Sequence, residues 1–482
     1  MFAVELNNTG FEYDVQAIIK AFFPDEMVKV ITPEVNTYRH KEWTESVKAG
    51  IQIDEAGAKL RLENQSYSWR YAEAEKELTY KDAFKRFLYQ TLCRHTGKEL
   101  PWGNLTGIRP TKIAYGMLEE GKSQEEILKY LKERYFVSER KGALSIEVAG
   151  RERELLSDIH YEGGYSLYIG IPFCPTTCLY CSFTSFPIAA FRKKVNQYID
   201  CLIREMEFVA LHYGDKVLDC VYIGGGTPTT LESDQLDRLL TELKAHFDFE
   251  TVKEFTVEAG RPDSITWEKL KVLHRHGVDR ISINPQTMNQ QTLAVIGRQH
   301  SVAQVTEAFG LARKAGFDNI NMDLILGLPG ESEEEVQHTI DRVSELSPDS
   351  LTIHSLAVKR ASKLGAWIEE NGMDNLKNSE QTMEIAAAGA KALGMLPYYL
   401  YRQKNMSGNF ENVGYARSDK YGLYNILIME EKQTILALGA GSISKAVFPG
   451  GRIERRENIK DVELYMEKID EMIQRKEALV TV

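Results

Sequence analysis

Residues 165–181 read Tyr165-Ser-Leu-Tyr168-Ile-Gly-Ile-Pro-Phe-Cys174-Pro-Thr-Thr-Cys178-Leu-Tyr180-Cys181. The apolar run Leu167 to Ile171 predicts a buried strand, and a cysteine loop follows it directly. Three thiolates cannot complete a closed structural zinc site without a fourth ligand, and the nearest following candidates are Cys201 and His212. They do suit a four-iron cluster in which one iron stays open to an exogenous ligand, because the short spacing lets three side chains converge on one cluster. Zinc with a distant fourth ligand and three unrelated buried thiols are the alternative readings at this point. Cys93, Cys201 and Cys220 stand alone in helix-like or strand-like sequence and read as small buried apolar residues.

Further apolar runs follow at Cys220 to Ile223, Phe255 to Val257, Arg280 to Ile283, Ile320 to Leu326 and Leu351 to Ile353. Between them lie helix signals. Ser233 is a cap before Leu236, Leu239, Leu240 and Leu243, and Ser301/Gln304 and Ser332/Glu335 form capping boxes. Gly277 and Gly316 close their helices with the residue that tolerates φ > 0. Six strand–helix units with little alternation in the strands predict a parallel α/β sheet, curled by right-handed crossovers toward a partial or complete barrel. In such folds the chemistry gathers at the carboxyl ends of the strands, where the cysteine loop sits.

Other strand ends carry polar or glycine groups. The second strand ends in Gly224-Gly225-Gly226-Thr227-Pro-Thr229, where missing side chains let backbone approach a ligand; the run lacks the following Gly-Lys-Ser/Thr of a phosphate loop. The third ends in Glu258, the fourth in Gln286, and the fifth runs through Asp323 to Gly327-Leu-Pro-Gly330, with Arg298 twelve residues after Gln286. Singly, each reads as a solvated or capping residue. Together, a carboxylate for an ammonium, an arginine for a carboxylate and an acid for ribose hydroxyls suit an amino-acid nucleoside.

Upstream, Phe2 to Leu6 and Val28 to Ile31 predict strands around an amphipathic helix from Val15 to Phe23. Ile51 to Ile53 and Lys59 to Glu63 predict a hairpin, with helix from Lys81 to about Gly150 and a helix end and loop at Glu133 to Gly142. Asn104 to Lys112 is a capped loop or a binding loop. Tyr398, Tyr399, Tyr401 and Arg402 are candidates to line a pocket, or amphipathic packing at a strand end. The whole chain of 482 residues is 43% hydrophobic, with 59 basic and 70 acidic residues and a formal charge of −11. That balance argues against broad nucleic-acid or membrane-surface binding. Without an 18-residue apolar run or a secretory pattern at Met1 to Gly10, no membrane span and a cytoplasmic location are expected.

These motifs resemble the radical S-adenosylmethionine (SAM) superfamily and, within it, the oxygen-independent coproporphyrinogen III oxidase family. Leu167 to Cys174, Cys178, Tyr180-Cys181, Gly224 to Thr229, Thr256-Val-Glu258, Pro285-Gln286 and Met322 to Pro329 match in order, over about residues 165 to 450. With its amino-terminal extension, the chain is similar to the variant described as the coproporphyrinogen dehydrogenase of Gram-positive bacteria. The resemblance implies a partial (βα)6 TIM-like barrel over 161–400, an α+β extension over 1–160 and a segment over 401–482 that completes the active-site cover. It implies that Cys174, Cys178 and Cys181 bind a [4Fe-4S] cluster whose open iron is chelated by SAM. Contacts to that first nucleoside map to Tyr168, Tyr180, Gly225, Glu258 and Ile443. Contacts to a second map to Gly226, Thr227, Gln286, Arg298, Asp323 and Ala357. The implied partners are a tetrapyrrole substrate and an electron donor such as flavodoxin or ferredoxin.

Two positions depart from the oxidases, Phe183 where a further cysteine is usual and Gly170 where a histidine is usual. Phe183 is a feature of the related haem chaperones. Those carry His-Asn-x-x-Tyr-Trp late in the barrel, where this chain has Glu411-Asn-Val-Gly-Tyr-Ala416. An anaerobic haem-opening methyltransferase shares the cysteine loop and is a further relative.

Overall fold

The structure, a computed structural model, describes residues 1–24, 26–34, 42–43, 46–71, 77–107, 109–359, 361–403 and 410–480. The chain divides into two compact units, Met1–Gly150 with Leu400–Glu411, and Arg151–Tyr399 with Asn412–Val482.

In the first unit, β1 (Phe2–Leu6), β2 (Val28–Ile31), β3 (Val47–Asp54), β4 (Gly57–Leu62) and β5 (Gln65–Arg70) pair in the order β2-β1-β3-β4-β5. β1 runs parallel to β2 and β3, and the rest is antiparallel. The expected hairpin is β3–β4, its turn held by the Asp54 carboxylate, which accepts from the amides of Ala56 and Gly57 at 2.8 and 2.9 Å. β5 escapes sequence reading because only Tyr67 and Trp69 turn inward, half-buried against the core, among polar residues. Helices Glu12–Phe22 and Tyr80–Thr96 bury Val15, Ile18, Ile19, Phe22, Phe84, Phe87, Leu88 and Leu92 in one core. Each such side chain contributes about 1.5–3 kcal/mol on burial. Glu133 to Gly142 is mostly helix rather than loop: one helix runs to Tyr135 and the next begins at Glu139.

The second unit is built on β6 (Gly164–Ile171), β9 (Val217–Gly225), β10 (Glu254–Gly260), β11 (Arg280–Ile283), β12 (Ile320–Leu326) and β13 (Ser350–Ser355), with the two-residue ladder of β7 (Phe173–Cys174) and β8 (Phe186–Pro187) beside β6. Helices Val195–Tyr213, Ser233–His246, Trp267–Arg275, Val302–Lys314 and Glu333–Leu346 connect the six strands, which are all parallel. β14 (Leu396–Tyr401), β15 (Asn412–Ala416), β16 (Thr434–Leu438), β17 (Ile443–Val447) and β18 (Ile453–Glu457) extend the sheet to the order β14-β15-β13-β12-β11-β10-β9-β6-β16-β17-β18. Its ends are the edge strands β14 and β18, so the barrel is partial. The capping boxes at Ser301 and Ser332 form as expected. The cap expected at Ser233 is shifted one residue, to Glu232 with Gln235.

The strands alternate after all. Ser166, Tyr168, Tyr222, Thr256, Glu258, Arg280, Ser282, Asn321 and Ser350 share one face by register. Leu167, Ile169, Val221, Ile223, Phe255, Val257, Ile281 and Ile283 occupy the other and are buried. The polar face is cross-linked: Asn321 Oδ1 accepts from Ser350 and Thr352 hydroxyls at 3.1 and 3.2 Å, and Arg280 donates to Ser350 Oγ at 3.2 Å. A second buried network centres on Glu205, which receives Gly439 N (2.7 Å), Tyr465 Oη (2.5 Å), Asn458 Nδ2 (2.8 Å) and Lys476 Nζ (2.5 Å). It fastens the carboxyl-terminal helix Ile469–Val480 to the turn after β16.

Candidate active site

The cysteine loop leaves the carboxyl end of β6 and is tied down on both sides. Phe186 N donates to Pro172 O (2.7 Å), Leu179 N to Ile296 O (3.0 Å) and Thr176 Oγ1 to Gly297 O (3.1 Å). The last two bonds bring the loop to the segment that carries Arg298. All three thiols are free, with Cys178 buried and Cys174 and Cys181 half-buried. Cys174 Sγ lies 3.5 Å from Thr227 Oγ1. Cys178 meets the side chains of Tyr180 and Arg298. Burial pushes the Cys174 thiol up to about 11 and raises that of Cys181. Neither is therefore primed as a free nucleophile, whereas metal capture drives the proton off. Among the described residues no three Cys, His, Asp or Glu side chains gather as for a single metal ion. A four-iron cluster spreads its thiolates over separate irons.

Around the loop, β9 ends in the glycine run. Gly225 has φ 107°, and the amides of Gly226 and Thr227 donate to Ile171 O and Phe173 O, both at 2.7 Å, pinning the run to β6 and β7. A Cβ at Gly226 would lie 2.6 Å from Phe173 O, so only glycine allows that approach. Tyr168 and Tyr222 are register neighbours and stack at 6.2 Å; Tyr424 stacks on Tyr222 at 4.4 Å. Glu254 at the base of β10 accepts from the Leu423 and Tyr424 amides, which holds Tyr424 there.

Glu258 accepts a hydrogen bond from the Tyr222 hydroxyl, oxygen to oxygen 2.5 Å. Burial, with the Asp323 carboxylate nearby, pushes its carboxyl up to about 7 despite that bond. Burial acts on Asp323 too, but hydrogen bonding to His354 and Asn321 outweighs it and keeps the carboxyl below its usual value. Gln286 adopts φ 69°, giving its amide to Asp323 O and its carbonyl to Ile325 N, both at 2.9 Å. Arg298 is buried and donates to Asn284 O. Ala357 lies two residues beyond β13, and Ile443 opens β17, 48% exposed.

Three buried polar atoms at this rim, Ser282 Oγ, Gln286 Oε1 and Arg298 Nε, have no hydrogen-bond partner among the described residues. Buried polar groups are nearly always paired, so each of these leaves a donor or acceptor for a polar ligand such as an amino-acid nucleoside to satisfy. The free thiols fit the cluster by donor chemistry.

Tyr222, Tyr424, Arg261 and Lys359 belong to the site without having been anticipated. Tyr222 was readable, lying on the same face as Gly224 two residues on; Tyr424 carries no local signal. Lys359 Nζ lies 5.6 Å from the ring centre of Phe183, which is 71% exposed. Tyr398, Tyr399 and Arg402 are buried. Arg402 donates to Leu105 O at 2.6 Å and burial brings it down to about 10, so these side chains pack rather than line an open pocket.

Residues 168–343 match the model of the radical SAM superfamily. The chain is 42% identical over 406 residues to the oxygen-independent coproporphyrinogen-III oxidase-like protein HemZ of Bacillus subtilis (strain 168), covering 82% of this chain and 81% of that protein. It is 39% identical over 194 residues to the heme chaperone HemW of Lactococcus lactis, covering 40% of this chain and 49% of the chaperone. The structure of coproporphyrinogen III oxidase (HemN) from Escherichia coli superposes with a TM-score of 0.53 at 24% identity, over 66% of this chain and 72% of that one. With the partial barrel and the cysteine loop at its first strand end, the chain belongs to the radical SAM superfamily, among its oxygen-independent coproporphyrinogen III oxidase-like proteins.

Proposed function

We propose that this protein is an oxidative decarboxylase of coproporphyrinogen III, converting two propionates to vinyl groups without oxygen to give protoporphyrinogen IX. The observation that carries the reading is the cysteine loop at the end of β6, with Glu258 near the end of β10, Gln286 just beyond β11, Asp323 within β12 and Arg298 on the segment bonded to the loop, in a chain 42% identical to an oxidase-like relative. Cys174, Cys178 and Cys181 would hold a [4Fe-4S] cluster. Tyr168, Tyr180, Gly225, Glu258 and Ile443 would hold SAM at it, and Gly226, Thr227, Gln286, Arg298, Asp323 and Ala357 a second molecule. Bound together, cluster and SAM would supply one-electron radical chemistry able to take a hydrogen atom from the β-carbon of a propionate. Each propionate then loses carbon dioxide and one electron to an acceptor.

The chain contributes position and dryness. Glu258, ionised, pairs with an ammonium, and Arg298 offers its guanidinium edge to a carboxylate. The polar face of the sheet anchors the ligand, while the buried rim excludes water and holds the reacting carbon in reach. Carriage of haem, suggested by Phe183, meets an obstacle at the position of the chaperones' histidine. Glu411 is 1% exposed and is held by Trp102 Nε1 at 2.7 Å and Lys141 Nζ at 2.5 Å. Anaerobic reconstitution with coproporphyrinogen III, SAM and a reductant, followed by chromatography, tests the reading. Protoporphyrinogen IX should form in step with 5′-deoxyadenosine; stoichiometric haem binding with no vinyl product would reject it.

A further inference from the structure

Arg261 directly follows β10 and is 3% exposed. Its Nε and Nη2 grip the Asp263 carboxylate at 2.9 and 2.7 Å, which fixes the plane of the guanidinium. The opposite nitrogen, Nη1, donates to Thr176 Oγ1 at 2.9 Å and reaches Cys178 Sγ at 3.9 Å. Arg261 is buried while Asp263 sits at the surface, so the guanidinium carries its charge inward at a desolvation cost. The Arg261–Asp263 pair is also oriented: its positive end meets the cysteine loop and its negative end lies on the far edge of the guanidinium.

We propose that Arg261 is a positioning residue for the metal centre: it holds the Thr176–Cys178 segment and aims a fixed positive charge at the Cys178 sulfur, so that the reduced cluster is favoured. This rests on the cysteine loop holding a [4Fe-4S] cluster. Hydrogen bonds and charges at the ligating sulfurs set cluster potentials, and in a buried site a unit charge a few ångströms away acts with little screening. Arg298 faces the same sulfur, so removal of Arg261 should shift the potential without abolishing cluster binding.

The test is a mediator-based redox titration of the anaerobically reconstituted full chain, read by the EPR signal of the reduced cluster, with iron and sulfide counted per chain. Arg261→Gln should move the midpoint to more negative potential by at least a tenfold change in the reduced-to-oxidised ratio, 59 mV for a one-electron couple. Arg261→Lys should recover part of the shift, and Asp263→Asn should move the midpoint the opposite way. A purely structural Arg261 would change iron content without producing shifts of opposite sign. Loaded Arg261→Gln and Asp263→Asn clusters titrating at the wild-type midpoint overturn the proposal. Should Arg261→Gln fail to load, Asp263→Asn decides: an upward shift supports the proposal, and an unchanged or lower midpoint overturns it. A wild-type chain that takes up no cluster overturns the cysteine-loop reading itself, a result distinct from a loaded but unshifted variant.

Discussion

Glu258 shows how one side chain acquires its chemistry from its neighbours. Its carboxyl titrates near 7 because burial, reinforced by Asp323, outweighs the hydrogen bond from Tyr222. The folded chain therefore keeps a proton that the unfolded chain releases near the ordinary carboxylate value. This group's contribution to stability is complete below that value and is lost as pH rises toward 7. Relative to Glu258→Gln, the ligand-free protein should lose stability across that window, measurable by urea denaturation at a series of pH values. Affinity for SAM should move oppositely, strengthening as pH rises through 7, because pairing with an ammonium needs the ionised carboxylate. Glu258→Gln should weaken binding about tenfold, roughly 1.4 kcal/mol, and flatten the pH dependence. Equal wild-type affinity on both sides of pH 7 in anaerobic calorimetry would contradict this. The places of Glu258 and Gln286 near strand ends and of Asp323 within a strand were legible because the apolar runs can be counted in sequence; Arg298, beyond the helix Gln290–Val295, had only its spacing from Gln286 to mark it. Arg261 was not legible, since its meaning depends on Thr176 and Cys178, which only the fold brings to it.

At the scale of elements, the six parallel strands were legible as short apolar runs, but their alternation was not. Ser166, Tyr168, Thr256 and Ser282 read as interruptions until register places them on one polar face. β15 to β18 went unread because each has five residues with no helix signal between β16 and β18 to set a period. The glycine run marks where two elements approach most closely. Gly226→Ala places a Cβ 2.6 Å from Phe173 O and 2.9 Å from Ile171 O. It should destabilise the fold by about 1–3 kcal/mol, as overpacking does. Gly310, inside helix Val302–Lys314 with no atom within 4 Å of an added Cβ, is the control. Gly310→Ala should stabilise by about 0.5–1 kcal/mol on helix propensity. Chemical denaturation separates the two, and equal midpoints would refute the close-approach argument.

For the molecule as a whole, the sheet converts a linear sequence into a ring of donors at one rim, with the apolar faces of its helices packed behind. The Glu205–Lys476 network ties the helix Ile469–Val480 into the same frame, a link that no local pattern reveals because its members lie on three helices and the turns after β16 and β18. Among the described residues no helix is long and apolar enough to cross a membrane. The amino-terminal unit has its own core around Phe84 and Leu88. The most direct test of the whole reading is the reductive cleavage of SAM by the anaerobically reconstituted chain, followed as 5′-deoxyadenosine release. The wild-type protein should release it with dithionite as the electron source, and Cys178→Ala, folded by circular dichroism, should release almost none. A cluster-loaded wild-type chain that leaves SAM intact, or a Cys178→Ala chain that cleaves it at the wild-type rate, would contradict the assignment.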